Sequence, residues 1–301
     1  MRGAELHLGF GTARDGADDV VVTPERAGWK HCGLRVIRLA PGETRTLETG
    51  DDELALLPLS GGRLTVEVDD LRLELEGRRS VFDRVTDWAY APIRSSLTLR
   101  SAEGCEVALA SARATRRLAP VAVPAHDVPI EVRGAGPATR QVTNFLVPGA
   151  FDGADKLICC ELLTPDGNWS SYPPHKHDAT EGSPVDNEEI YYFRIGRAGT
   201  TGYAPEGYGL HRTYTHDGSI DVTVTVRDGD VFLVPRGYHG PCVAAPGYPM
   251  YYLNVMAGPA PGRRFAFVDD PPHHWIRDTW TGMESDPRVP MTSAEGPTWA
   301  L

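Results

Sequence analysis

The stretch Tyr172-Pro-Pro-His-Lys-His-Asp178, followed by Glu189-Ile-Tyr-Tyr-Phe-Arg-Ile-Gly196 and Gly229-Asp-Val-Phe-Leu-Val-Pro-Arg-Gly-Tyr-His239, decides how this chain folds and where its chemistry lies. His175 and His177 stand two apart, so on an extended strand both imidazoles project from one face. Glu189 opens a β-rich run, and His239 follows a strand that ends in a tight turn. Three imidazoles and a carboxylate form a borderline-hard donor set suited to Zn²⁺, Mn²⁺ or Fe²⁺, with positions left for water or substrate. A bare H-x-H is more often a pair of hydrogen-bonded core histidines. The placement of Glu189 and His239 is what favours one divalent ion per chain, held by His175, His177, Glu189 and His239, with Zn or Mn ahead of Fe. Glu188 and Glu181 stand near enough in sequence to replace Glu189.

Outward from this stretch the chain is β throughout. Segments such as Leu34-Arg-Val-Ile-Arg-Leu39, Arg63-Leu-Thr-Val-Glu-Val68 and Leu71-Arg-Leu-Glu-Leu75 alternate with period two between the turn signals Pro41-Gly42, Gly61-Gly62 and Asp69-Asp70. A stretch with three arginines (Arg113, Arg116, Arg117) and then Pro120, Pro124 and Pro129 reads as a linker. A second β series starts at Gln141 and runs to Val255. Two β series of similar length predict a duplicated all-β fold of two tandem antiparallel β-sandwich or barrel domains. The expected division is residues 1–125, 126–270 and a tail at 271–301, in which Trp275 and Trp280 are expected to anchor onto the body. Gly42-x5-Glu48-x-Gly50, followed by Glu53, lies where a metal motif would lie in the first half, but without histidines. That half is therefore expected to be degenerate and structural.

Lys plus Arg is 30 and Asp plus Glu is 41, a net charge of −11. This balance argues against nucleic acid or an anionic membrane as partner. No apolar run approaches the roughly 20 residues that span a bilayer, and Met1-Arg-Gly-Ala-Glu-Leu-His7 lacks a signal-peptide core, so a soluble cytoplasmic protein is expected. Five cysteines without C-x-x-C spacing read as reduced thiols, with Cys159 and Cys160 as core filling.

Glu189-x6-Gly196 and Gly229-x5-Pro235-x-Gly237 resemble the two motifs of the cupin superfamily. Eleven residues separate His177 from Glu189, which reads as a loop insertion, and only Tyr238 stands between Gly237 and His239. Over residues 130 to 280 the chain looks like the bicupin sugar-acid isomerases, and within them those of bacterial myo-inositol catabolism. The carrying segments are Pro174-His-Lys-His-Asp178, Glu188-Glu-Ile-Tyr-Tyr-Phe193, Arg212-Thr-Tyr-Thr215, Asp228-Gly-Asp-Val231, Val234-Pro-Arg-Gly-Tyr-His239, Tyr251-Tyr-Leu-Asn-Val-Met-Ala-Gly-Pro259 and Trp275-Ile-Arg277. The resemblance implies a bicupin fold, a divalent metal on the four residues named above, and conversion of 5-deoxy-D-glucuronate into 2-deoxy-5-keto-D-gluconate, within a homo-oligomer. The related isomerases of 4-deoxy-5-keto-uronates, a cupin dioxygenase and a non-catalytic ligand-binding cupin are the alternatives.

Such an isomerase removes a proton beside a carbonyl and returns it one carbon over, so it needs acid-base groups and positive charge for an enediolate. If Glu189 faces inward, alternation brings Tyr191 to the same face. Glu161 on the preceding strand is a candidate base, and Tyr214 and Tyr252 are candidate acids. For a small anionic sugar-acid substrate Arg212 is the first candidate cation, followed by Arg194, Arg236 and Lys176.

Overall fold

A computed structural model describes residues 3–180 and 182–298. Its named strands pair antiparallel throughout and form four sheets, stacked as two sandwiches. In the first sandwich a six-stranded sheet, with Asp52–Gly61, Cys105–Arg113 and Cys32–Leu39 at its centre, covers a four-stranded sheet built from Thr44–Glu48, Ser96–Arg100, Leu64–Val68 and Leu71–Leu75. In the second, a seven-stranded sheet centred on Glu188–Ile195, Met250–Ala257 and Ile158–Thr164 covers a smaller sheet built around Gly209–Tyr214 and Tyr238–Ala244.

The two large sheets lie back to back, which explains a sequence feature that alternation alone does not. Outer strands such as Asp221–Val226 alternate between exposed and half-buried residues, but Met250–Ala257 and Ile158–Thr164 are buried at every position. A strand covered on both faces needs apolar residues on both, so its sequence is a continuous run. Leu56, Val107 and Leu109 fill the first sandwich, while Ala55, Leu57 and Ala108 turn to the other face and join the core shared with the second. Buried ion pairs cross the same boundary: Arg194 reaches Glu106 at 2.7 Å, and Arg78 reaches Glu161.

Two carboxylates tie the halves together in the same way. Glu53, fully buried at the start of its strand, accepts the backbone N–H groups of Asp155 (2.8 Å), Lys156 (2.5 Å) and Leu157 (2.7 Å), and the Tyr90 hydroxyl at 2.7 Å. Glu188, at the start of Glu188–Ile195, accepts those of Lys30 (2.7 Å), His31 (2.8 Å) and Cys32 (3.1 Å). Each carboxylate captures three consecutive N–H groups that lead into a strand of the opposite sandwich. Glu53 thus has a definite structural task.

The expected linker is not free chain. Val121–Val123 pairs with Trp88–Ala91, and Ile130–Arg133 pairs with Arg140–Leu146, so the stretch carries an edge strand of each sandwich. His7–Leu8, expected within the first domain, pairs with Val231–Val234 of the second. The tail forms a 3-10 helix, Pro271–Trp280, in which Trp280 packs against the guanidinium groups of Arg140 and Arg277. Trp275 is 60 % exposed and anchors nothing. All five cysteines are free and buried. Among the described residues no helix is long and apolar enough to cross a membrane.

Candidate metal centre

Within the second sandwich, strand register brings the metal-ligand candidates to one place. His175 is directly opposite His239 across the smaller sheet, and Glu189 reaches toward His177 and His239 from the large sheet. Glu189 Oε2 lies 3.0 Å from His177 Nε2 and 3.1 Å from His239 Nε2. These three residues are buried, and their donor atoms lie within 4.8 Å of one another. His175 is half-buried and stands beside this triad, its ring edge-on to that of His239 at 4.5 Å.

The residues present fit a divalent ion. Each imidazole Nδ1 faces a backbone carbonyl: Pro173 for His175 at 2.9 Å, Asn187 for His177 at 3.2 Å and Gly237 for His239 at 3.5 Å. An N–H donated there places the lone pair on Nε2, the tautomer a metal requires. His239 Nε2 is buried and, though 3.1 Å from Glu189 Oε2, forms no hydrogen bond with it. Burial holds His175 down to about 3 and His239 well below the usual imidazole value, so both are neutral. At His177 burial acts in the same direction, but the Glu189 carboxylate outweighs it and raises the pKa.

The insertion between His177 and Glu189 does not separate them, because it is tied back at both ends. Asn187 N donates to His177 O at 2.7 Å, and the Asp178 carboxylate accepts from Gly237 N at 2.5 Å. Glu188 faces the other sandwich, which leaves Glu189 as the carboxylate of the centre; Glu181 lies outside the described residues. Gly240 is required where the chain passes the site. Its φ is +97°, and a Cβ there would come 1.7 Å from Ser171 O. Ser171 itself is held at φ +49°, a conformation uncommon outside glycine.

A small cavity opens beside the triad, lined by His175, His177, Glu189, Ser171, Tyr191, Tyr252 and Asn254, and also by Arg133, Arg140, Phe265 and Phe267. Tyr191 and Tyr252 thus line the same cavity as Glu189. The Tyr191 hydroxyl is 3.0 Å from Ser171 Oγ and that of Tyr252 is 2.8 Å from Ser170 Oγ, and burial pushes both phenols well above their usual pKa.

Six expected residues are not at the cavity. Glu161 alternates with Cys160 and Leu162, which line the cavity, so it turns to the other face and binds Arg78 and the Tyr251 hydroxyl, the latter at 2.8 Å. Arg194 turns the same way, to Glu106 and Asp228. On Gly209–Tyr214, His211 and Thr213 point inward, which leaves Arg212 outside against Asp221 at 3.1 Å and Tyr214 against Asp270. Lys176 lies between two inward histidines and points away, donating to Thr180 Oγ1 at 2.7 Å. Arg236 is on the surface beside Ser219 at 2.7 Å.

A model of the KduI/IolB family matches residues 9–276. The chain belongs to that family. A 5-deoxy-glucuronate isomerase of Geobacillus kaustophilus (strain HTA426) is 40 % identical over 264 residues, 86 % of this chain and 91 % of the relative. The crystal structure of an IolB-like protein from Salmonella typhimurium LT2 superposes with a TM-score of 0.81 at 32 % identity, covering 90 % of this chain and 98 % of the other. An oxalate decarboxylase of Lactobacillus farciminis shares the bicupin fold alone, with a TM-score of 0.62 at 12 % identity over 88 % of each chain.

For this KduI/IolB family chain the residues that sequence reading passed over are Ser171, Asn254, Arg133 and Arg140. Ser171 carries no motif, and Asn254 lies within the family-like run Tyr251–Pro259 but has no ligand or acid-base character to single it out. Arg140 directly precedes the run from which the second β series was counted, and Arg133 lies in the stretch read as linker. Cross-strand pairing makes the two arginines direct neighbours, a relation visible only once Ile130–Arg133 is known to be a strand.

Proposed function

We infer that this chain is a 5-deoxy-glucuronate isomerase, converting 5-deoxy-D-glucuronate into 2-deoxy-5-keto-D-gluconate. One observation carries this reading: relatives bearing that name match over about nine-tenths of their length, and the buried triad with its cavity lies inside residues 9–276, which the family model matches. His177, Glu189 and His239, with His175 as fourth donor, would hold the ion, for which Zn²⁺ and Mn²⁺ suit the nitrogen-rich donor set best and Fe²⁺ comes next. When bound, such an ion supplies the positive charge that stabilises a developing enediolate.

The chain's own groups position the sugar and handle its protons. Tyr191 and Tyr252 stay protonated at neutral pH, so each phenol is a donor to a sugar oxygen. Asn254 Oδ1 is buried without a donor and offers an acceptor to a sugar hydroxyl. With Glu161 on the other face, the Tyr191–Ser171 hydroxyl pair lines the cavity and is suited to relay a proton between the carbonyl and hydroxyl oxygens of the sugar. Phe265 and Phe267 add apolar lining to the cavity.

The test is incubation of the metal-loaded protein with 5-deoxyglucuronate, followed by NMR. Loss of the aldehyde signal with growth of a ketose hydroxymethyl signal supports the reading, and deuterium at that carbon in D₂O supports proton transfer. An unchanged aldehyde signal sinks it.

A further inference from the structure

Arg140 is nearly fully buried at the wall of the cavity, yet it has no carboxylate among the described residues. Its Nη1 donates to Ala138 O at 3.0 Å and its Nη2 to Tyr172 O at 3.3 Å, while Nε is buried with no partner at all. Two more guanidinium groups stand close enough to be felt, Arg133 and Arg277. Arg133 is satisfied by Glu131, with contacts of 2.8 and 2.6 Å. Arg277 is satisfied by Asp269, at 2.5 and 2.7 Å. Three fixed positive charges therefore face two carboxylates, and the unpaired one is the most deeply buried. An uncompensated buried charge is costly, and like charges directly opposite on neighbouring strands add to that cost. Burial and these neighbours pull the Arg140 pKa down to about 10, which still leaves it charged at neutral pH.

We propose that Arg140 is the anion-binding residue of the cavity and receives the carboxylate of the sugar acid. This rests on the isomerase reading for the identity of the acid, but the anion site stands on the charge arrangement alone. The missing negative charge is single, matching one carboxylate and not a phosphate dianion. Trp280, 5.8 Å from the guanidinium, covers one side of it. A carboxylate on Arg140 would leave the reducing end of the substrate for the triad, whose His177 and Glu189 line the same cavity. Arg140 would thus set the preference for acids over neutral sugars.

The experiment compares wild type with Arg140→Gln and Arg140→Lys on 5-deoxyglucuronate and on 5-deoxyglucose, which lacks the carboxylate. Metal content and melting temperature serve as controls for folding. Arg140→Gln should raise KM for the acid about thirtyfold or more, with kcat changed far less, and the acid-to-neutral ratio of kcat/KM should fall by the same factor. Arg140→Lys should restore part of it. Equal losses on both sugars, or an unchanged KM for the acid, would overturn the proposal. Calorimetry with the acid reduced at its aldehyde reads the site without turnover. Binding by wild type that is weakened in Arg140→Gln upholds the anion site even where no isomerisation is seen, and equal binding by both refutes it.

Discussion

The two sandwiches share a scaffold and differ at one wall. Glu53 and Glu188 stand at the start of corresponding strands, each eight residues before a glycine, Gly61 and Gly196. Each grips the backbone that leads into the other half. At the next position the halves part: Leu54 in the first, Glu189 in the second. The register carries the comparison further, since Leu56 and Leu109 pair where Tyr191 and Asn254 pair. The mouth of the first sandwich has charges of both signs that stand in ion pairs, Arg113 with Glu25 at 2.7 Å and with Asp52 at 3.3 Å. The carboxylate that joins the halves is thus kept in both, whereas the donor set is present in one. Scaffold and chemistry occupy adjacent residues on one strand, turned to opposite faces.

The largest effect is expected at that wall. Glu189→Gln or His239→Ala should lower turnover at least about a thousandfold and strip the metal, measured by elemental analysis, while the melting temperature of the metal-free protein stays close to wild type. Retained metal in both variants would put the chemistry elsewhere and dissolve the contrast between the halves. Smaller, and on stability, is the effect at the shared scaffold. Glu53→Gln presents an amide N–H₂ to groups that are themselves donors, and denaturant unfolding should show a loss of about 3 kcal/mol or more. Glu188→Gln, at a less buried position, should cost about 1–2 kcal/mol. Metal content should be unchanged in both, and a metal loss in Glu188→Gln would show that the two faces of the strand are not independent.

The smallest effect concerns pH. Asp155 stands beside the backbone held by Glu53. Burial disfavours its charge, but the Thr115 and Arg116 N–H groups and the Arg116 guanidinium outweigh this and hold its carboxyl at about 2. A depressed folded-state pKa gives stability that is present above the unfolded value near 4 and lost as pH falls toward 2. Asp155→Asn should therefore cost about 2 kcal/mol at pH 7 and flatten the acid limb between pH 4 and 2, measured by chemical denaturation at each pH. An unchanged acid limb would assign acid lability to other carboxylates.

The sequence carried the fold and the centre further than it carried the substrate side. Period-two alternation and turn residues locate the outer strands, and apolar runs locate the inner ones, because burial of one or both faces writes itself into composition. The donor set is legible because its spacing is local to three strands. Alternation also contained a signal against two candidates. Arg194 has the opposite parity to Glu189 and Tyr191, and Lys176 lies between two inward histidines. Glu161 is different. Its face depends on how Ile158–Thr164 aligns with Met250–Ala257, a long-range register that spacing does not contain. The same holds for Arg140, whose meaning comes from Arg133 across the strand pair and from Glu131 and Asp269 having been claimed by other arginines.

The strand His7–Leu8 has a consequence for how the chain is made. It caps the outer edge of Val231–Val234, and His7 Nε2 meets Asp230 at 2.8 Å, across 223 residues of sequence. At about 5–20 residues per second, a ribosome needs roughly ten to forty-five seconds to deliver Asp230 after His7. Over that interval the first sandwich can assemble, but the segment that precedes it has nothing to pair with. Once the second sandwich forms, Val231–Val234, buried along its whole length, would present a bare apolar edge to other nascent chains until His7–Leu8 docks. Removing residues 3–8 should leave that edge permanently open, with self-association during expression as the outcome.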